Sequence, residues 1–433
     1  MVVGQGDAKR TLSEEEIGRI LDEALGRCEV AGKRVLLIIP DGTRTAPIPL
    51  LFRLLYERLG TAAAFDVLIA LGTHPPMSGE AINRRLGLSA RERTEQFGRV
   101  RVFNHRWDLP ETFVEIGRIT PAEAEVLTNG RLIEAVPIRI NRLILDYDQL
   151  IICGPTFPHE VVGFSGGNKY LFPGISGPEI IHFFHWLGAL ETSMQVIGVK
   201  ETPMRRVIDR AARFVDRPVL CCCLVVGAAG LSGLYVGPAE EAWSRAADLS
   251  AQVHIRYVDE PFETVLSMPA PMYEDLWTAA KAMYKTEPVV ADGGEVIIYQ
   301  PTLGEISYTH GELIDQIGYH VRDYFLAQMD RFRDIPKGVL AHSTHVKGVG
   351  TYDSARRREH PRIRVTLATA IPRARCERVN LGYRDPASID PEAWEGRAGV
   401  LVVPHAGEIL YRLARDAPAA AGSHSQAGTG APA

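Results

Sequence analysis

Residues 35–47 read VLLIIPDGTRTAP, an apolar run that ends on proline and gives way at once to Asp41, Thr43 and Arg44. A short run rich in Val, Ile and Leu and bounded by turn residues is the pattern of a strand buried on both faces. The pattern recurs along the chain. FDVLIAL (65–71) leads into Gly72-Thr73-His74, and QLIICGP (149–155) leads into Thr156-Phe157-Pro158-His159. Further strands are expected at 219–226, 264–271, 295–301, 338–344, 365–371 and 399–405. Helical patterns separate several of them: 14–25 behind a Ser13 cap, 49–60, 179–190 opened by Pro178, and 272–285. Strands alternating with helices predict an α/β protein with two α/β domains, largely parallel sheets and an interdomain active-site cleft. The expected division is 1–257 for the domain with the polar motifs and 258–390 for the second domain. Residues 391–415 are expected to return and pack on the first domain, and the small, polar tail 416–433 to be disordered.

Of 433 residues, 48 are basic and 53 acidic, a formal net charge of -5, which disfavours a nucleic-acid partner. At 46% hydrophobic residues the chain can build a substantial core. No apolar run reaches the roughly 18 residues of a membrane span, and the start lacks the apolar stretch of a secretory signal. Six cysteines occur without a CxxC pair, three of them in the run 221–223, where they read as small buried hydrophobes. These features predict a cytoplasmic enzyme with no membrane or nucleic-acid partner.

In open α/β sheets ligands bind beyond the carboxyl ends of the strands, and there Asp41 and Arg44, His74 and His159 fall. Each has an ordinary explanation alone: a turn, a surface charge, a structural histidine. Three strand ends carrying such groups together point to one shared site. His105 and Asp108, in VFNHRWD (102–108), follow another strand. Phe164-Ser165-Gly166-Gly167-Asn168-Lys169 is either an anion nest with a neutralising lysine, a loop whose lysine is covalently derivatised, or a plain turn. It is neither a Walker A nor a G-x-G-x-x-G sequence. His182 and His185, at i and i+3, are either a metal pair or packed among phenylalanines. His342, near the end of the strand expected at 338–344, and His345, just after it, either line the cleft or sit in a polar loop.

At these residues the sequence resembles the nickel-pincer-nucleotide family of lactate racemase and related 2-hydroxyacid racemases and epimerases. Four motifs match in order: Asp41-x-Thr43-Arg44-x-x-Pro47, Gly72-Thr73-His74-x-Pro76-Met77, Pro158-His159 followed by Gly166-Gly167-x-Lys169, and the helix carrying His185. The match is good from about residue 35 to 190 and weaker beyond. The resemblance implies that Lys169 holds a pyridinium-3-thioamide-5-thiocarboxylic acid mononucleotide covalently and that His185 ligates its nickel. It implies cofactor or phosphate contacts at Asp41, Thr43, Gly166 and Gly167, and a carboxylate fork at Arg44. His74 and His159 become the acid/base pair and Lys281 a further catalytic or substrate contact. Trp277 and Thr278 line the substrate where the family usually has tyrosine and glutamine. The implied reaction moves a hydride from Cα of a 2-hydroxyacid to the cofactor and back on either face, with cofactor-biosynthesis proteins as maturation partners. Two alternatives stand beside it: the same cofactor used for a different hydride transfer, and a cofactor-free 2-hydroxyacid-binding or sensor protein of the same fold.

Overall fold

The structure is a computed structural model, and it describes residues 1–417. Seven strands form the first sheet: Val3–Gly6 (β1), Arg34–Pro40 (β2), Ala64–Ala70 (β3), Val102–Asn104 (β4), Gln149–Pro155 (β5), Val219–Gly227 (β6) and Gly230–Gly237 (β7), in the order β1-β7-β6-β5-β2-β3-β4. The central strands run parallel, and β7 and β1 close one edge antiparallel. Val35 to Ile39 are at most 1% exposed, as expected for a strand covered by helices on both faces. Cys221 and Cys223 face one core layer and Cys222 the other, all three without a disulfide partner.

The second sheet is wholly parallel. Its strands are Phe262–Pro269 (β8), Val290–Gln300 (β9), Arg364–Thr369 (β10), Gly382–Tyr383 (β11) and Val400–Ala406 (β12), in the order β11-β10-β9-β8-β12. The chain is thus α/β with largely parallel sheets. Residues 391–415, expected to return to the first unit, divide. β12 is the edge of the second sheet, while Leu410–Leu413 pairs parallel with Ile255–Val258 and Arg412 donates to the Ile197 carbonyl at 2.6 Å. The expected disordered tail lies outside the described residues beyond 417. Among the described residues no helix is long and apolar enough to cross a membrane.

Eight of the nine expected strands are present. The ninth, at 338–344, is instead the helix Lys337–Lys347, with every residue from Val339 to Val346 buried. A helix enclosed on all sides loses its polar face, and its sequence then reads like a doubly buried strand. The helix expected at 272–285 is two short turns, Leu276–Ala279 and Lys281–Tyr284, the first capped by Asp275, whose carboxylate accepts from Thr278 N–H at 3.0 Å. Strand β7 escapes sequence reading because glycines at 230, 233 and 237 dilute its apolar pattern.

In the first sheet, β3 flanks β2 on one side and β5 on the other, so the connections diverge between β2 and β5. That topological switch point opens a crevice outside the carboxyl ends of the two strands. Asp41 follows β2 there, and Thr156 to His159 follow β5.

Candidate active site

A cavity of about 170 Å³ occupies this crevice, lined by residues from the loops of both sheets. Asp41, Arg44, His74, His159, Lys169, His185, Trp277, Thr278 and Lys281, expected from sequence to form one site, all line it, with Gly166. Thr43 and Gly167 are outside this lining: Thr43 lines the adjoining outer cavity, and Gly167 packs against Trp243. The Thr43 hydroxyl donates to Asp41 Oδ1 at 2.7 Å, and Arg44 donates to the Thr43 hydroxyl at 2.8 Å.

Asp41 is buried, and His74 Nδ1 lies 2.5 Å from its Oδ2. Burial opposes ionisation of this carboxyl, but His74, Arg44 and Thr43 together hold its pKa well below the usual carboxylate range. An ionised partner requires the proton on His74 Nδ1, which in the neutral ring leaves a lone pair on Nε2. Trp107 Nε1 donates to the His74 carbonyl at 2.8 Å and steadies the loop.

His159 is set up in the opposite sense. It is 5% exposed, and its Nδ1 lies 3.1 Å from the Val161 N and 3.3 Å from Glu160 Oε2; where it accepts from the Val161 N–H, neutral His159 carries its proton on Nε2. Burial, then the nearby Lys169 and Arg44, push its pKa far below the ordinary histidine value. The two histidines therefore present one acceptor nitrogen and one donor nitrogen.

Gly166 has φ +84°, and a Cβ there would meet Thr156 Oγ1 at 2.3 Å, so the loop needs glycine at this position. Arg205 donates to the Phe164 carbonyl, and Trp243 Nε1 to the Ser165 carbonyl at 2.8 Å, pinning the backbone that presents Lys169. Burial and the charge of Arg44 lower Lys169 to about 7, so much of it is a neutral amine near pH 7. His185 sits on the helix Pro178–Glu191, and its Nδ1 donates to the Ile181 carbonyl at 2.7 Å. Burial lowers it to about 3; it is neutral, with a free lone pair on Nε2. Lys281 donates to the Thr278 carbonyl at 3.1 Å and lies over the Tyr273 ring, and burial with Arg44 lowers it to about 8.

The other sequence candidates divide. His182, His342 and His345 line the cavity, the last two from the helix Lys337–Lys347. Among the described residues no cluster of three or more His, Cys, Asp or Glu is arranged to hold a metal ion, so His182 and His185 belong to no such all-protein site. His105 is enclosed against Phe113 and hydrogen-bonded to Asn141, and Asp108 pairs with Arg106 near the surface; neither reaches the cavity. Sequence reading passed over Glu160, Tyr284 and His310, all in the lining. It also passed over Arg85, at the mouth, whose Nε donates to the Pro40 carbonyl while one terminal nitrogen is buried without a partner among the described residues. Glu160 adjoins His159 and was visible as the next letter; Arg85 lies inside an ordinary amphipathic helix and carries no signal.

The family model described as the lactate racemase N-terminal domain matches residues 5–198. The curated lactate racemase of Thermoanaerobacterium thermosaccharolyticum is 25% identical over 309 residues, 68% of this chain and 67% of that protein. That of Lactiplantibacillus plantarum is 23% identical over 298 residues, 66% of each. The aligned part thus spans about two thirds of these relatives. Among solved structures, a Thermotoga maritima protein superposes with a TM-score of 0.86 at 32% identity, covering 94% of this chain and 100% of that one. The lactate racemase apoprotein of Thermoanaerobacterium thermosaccharolyticum gives a TM-score of 0.70 at 19% identity over 93% of both chains, a likeness of fold. Ordered motifs and the matching family model lead to one conclusion: residues 5–198 of this chain are a lactate racemase N-terminal domain, and the chain shares the fold of a lactate racemase apoprotein along nearly its whole length.

Proposed function

We propose that the protein is an isomerase that inverts the hydroxyl-bearing carbon of a 2-hydroxyacid in the cavity at the switch point. The observation that carries this reading is the pair of oppositely set histidines, His74 with a free Nε2 lone pair and His159 with an Nε2 proton, lining one cavity with Arg44 and Lys281. Arg44 offers the substrate carboxylate a planar fork, and Lys281 a second cation. His74 Nε2 takes the substrate hydroxyl proton, and Asp41 stabilises the imidazolium that results. His159 donates from Nε2 to a substrate oxygen. To act as a base for the opposite enantiomer it must move its proton to Nδ1 and release the Val161 N–H.

The residues also fit the nickel-pincer nucleotide that the family resemblance implies. A partly neutral lysine is the form that can carry a covalent acyl-type linkage, and Lys169 is held that way. A buried imidazole oriented through Nδ1 with Nε2 free is the donor a metal needs, and His185 is such a group. Bound there, the nucleotide would supply reversible hydride acceptance at Cα, the part of the chemistry no side chain can perform.

The test is to produce the protein alongside the cofactor-synthesis machinery, with Lys169→Ala as control. The expected result is a nucleotide-sized mass adduct, near-stoichiometric nickel and interconversion of 2-hydroxyacid enantiomers, all absent from the control. A loaded protein that inverts no 2-hydroxyacid would overturn the reading.

A further inference from the structure

Among the described residues two carboxylates line the cavity, Asp41 and Glu160, and each stands beside one of the two acid–base histidines. Asp41 holds His74 as described above. Glu160 is placed by a tight hairpin in which Pro158–His159 pairs antiparallel with Gly163–Phe164. Val161 and Val162, in the turn of that hairpin, are 1% and 0% exposed and sink into the core, so Glu160 is the turn residue left on the cavity side. Its Oε2 lies 3.3 Å from His159 Nδ1, the same nitrogen that the Val161 N–H approaches at 3.1 Å. One ring nitrogen thus has a donor and an acceptor within reach, and it can use only one of them at a time. The carboxylate is itself enclosed. Buried Tyr284 faces it, and burial and then the charge of Glu160 drive that phenol well above its ordinary pKa. Arg44 and Lys169 from the first half of the chain, and Lys281 and Lys285 from the second, also feel its charge.

Resting on the isomerase reading above, we propose that Glu160 is the positioning residue of His159: its carboxylate accepts the Nδ1 proton whenever His159 exchanges a proton with substrate at Nε2. The requirement is chemical. A neutral imidazole with its proton on Nε2 has no lone pair there to take a hydroxyl proton, and giving that proton up would leave an imidazolate. Either transfer at Nε2 therefore needs a proton on Nδ1 first, and a protonated Nδ1 cannot accept from the Val161 N–H. Glu160 is the acceptor beside it, and the 3.3 Å gap closes to a charge-assisted hydrogen bond with a shift of only about 0.5 Å. The tautomer change releases the Nε2 proton to water and takes one from water at Nδ1. The substrate hydroxyl proton then moves to Nε2 as hydride leaves C2, and a proton returns from Nε2 to that oxygen as hydride comes back. Protons balance over the cycle, and no external oxidant or reductant is consumed. While both ring nitrogens are protonated, the Glu160 carboxylate neutralises the imidazolium, as Asp41 does for His74. The two pairs differ in readiness: Asp41 is already bonded to His74, whereas Glu160 competes with the Val161 N–H for His159.

The test uses Glu160→Gln, which keeps the shape and removes the charge, and Glu160→Asp, which keeps the charge on a shorter arm, with Tm recorded for both. The substrate is whichever of a panel of 2-hydroxyacid enantiomers the nickel-loaded wild type inverts fastest. On loaded enzyme Glu160→Gln is expected to lower kcat by about a hundredfold or more with KM changed less than about threefold, and Glu160→Asp to recover part of the loss. A carboxylate that only offset the cations Arg44, Lys169, Lys281 and Lys285 would instead raise KM or reduce nucleotide loading at unchanged kcat, and that pattern overturns the proposal. The second readout needs no cofactor. Isotope-edited NMR of the ring nitrogens of cofactor-free protein, with His159 assigned through His159→Gln, is expected to show an Nδ1–H fraction in wild type that is absent from Glu160→Gln. A wild-type His159 wholly in the Nε2–H form overturns the proposal, and does so even where a variant fails to fold. Wild-type kcat in Glu160→Gln overturns the pairing and leaves the isomerase reading intact. A loaded wild type that inverts none of the panel overturns that reading, and the catalytic purpose of the pair with it.

Discussion

Asp41 acts on the chemistry through another residue. Its carboxylate fixes which nitrogen of His74 carries the proton, and an amide in its place can fix the wrong one. Asp41→Asn is therefore expected to lower kcat by about 10²- to 10⁴-fold, the usual contribution of positioned acid–base catalysis, with a smaller change in KM. A fall in KM-governed binding alone would show that Asp41 serves the substrate instead. At this scale the sequence was legible where chemistry-bearing side chains follow strand ends, as Asp41, His74 and His159 do. It was illegible where orientation decides. Nothing in the letters shows that His159 accepts a backbone N–H at Nδ1, or that the Thr278 hydroxyl is engaged by Asp275 at 2.8 Å.

The loop after β5 and the helix Lys337–Lys347 show how elements set the site. Gly166→Ala places a methyl 2.3 Å from Thr156 Oγ1 at a positive φ, and is expected to cost about 2 kcal/mol in urea unfolding and to displace Lys169. An unchanged midpoint would mean that the loop has room to shift. The helix Lys337–Lys347 lies against the helix Pro178–Glu191 closely enough that a Cβ on Gly338 would come within 2.9 Å of His182 Nδ1. The parallel strands were readable because burial on both faces leaves uninterrupted Val, Ile and Leu. The same burial disguised 337–347, and only its length and the preceding Pro336 hinted at a helix. The break at Ala280 was hidden because the turns on either side of it share helical spacing.

Across the whole molecule, concentrating buried bases in one cavity sets the pH dependence of folding. His159, His185 and His345 have folded pKa values below the ordinary 6.5, so the unfolded chain takes up protons first as pH falls, and stability is lost from about pH 6.5 downward. Lys169, Lys281 and Lys285 sit at about 7, 8 and 7 against 10.5 unfolded, so their penalty is relieved as pH rises through that window. Buried tyrosines such as Tyr273, raised well above the ordinary value by burial, withdraw stability above about pH 10. The cofactor-free protein is expected to melt highest near pH 9, above the common pH 5–8 range, and a maximum below pH 7 in a Tm series would contradict this.

The cysteines carry a consequence for how the molecule can be watched. Cys153, Cys221, Cys222, Cys223 and Cys376 are buried and free, and only Cys28 is partly open. Hydrogen bonding to neighbouring thiols, then burial, raises the thiols of Cys221 and Cys222, which leaves little thiolate to react. Alkylating reagent added to native protein should stop at one label. Each further label should appear only when a molecule opens its core, with the three of β6 arriving together. The rate of multiple labelling then clocks opening of the first sheet without any added probe, and steady accumulation of two- and three-label species would reveal local openings that expose these strands piecemeal.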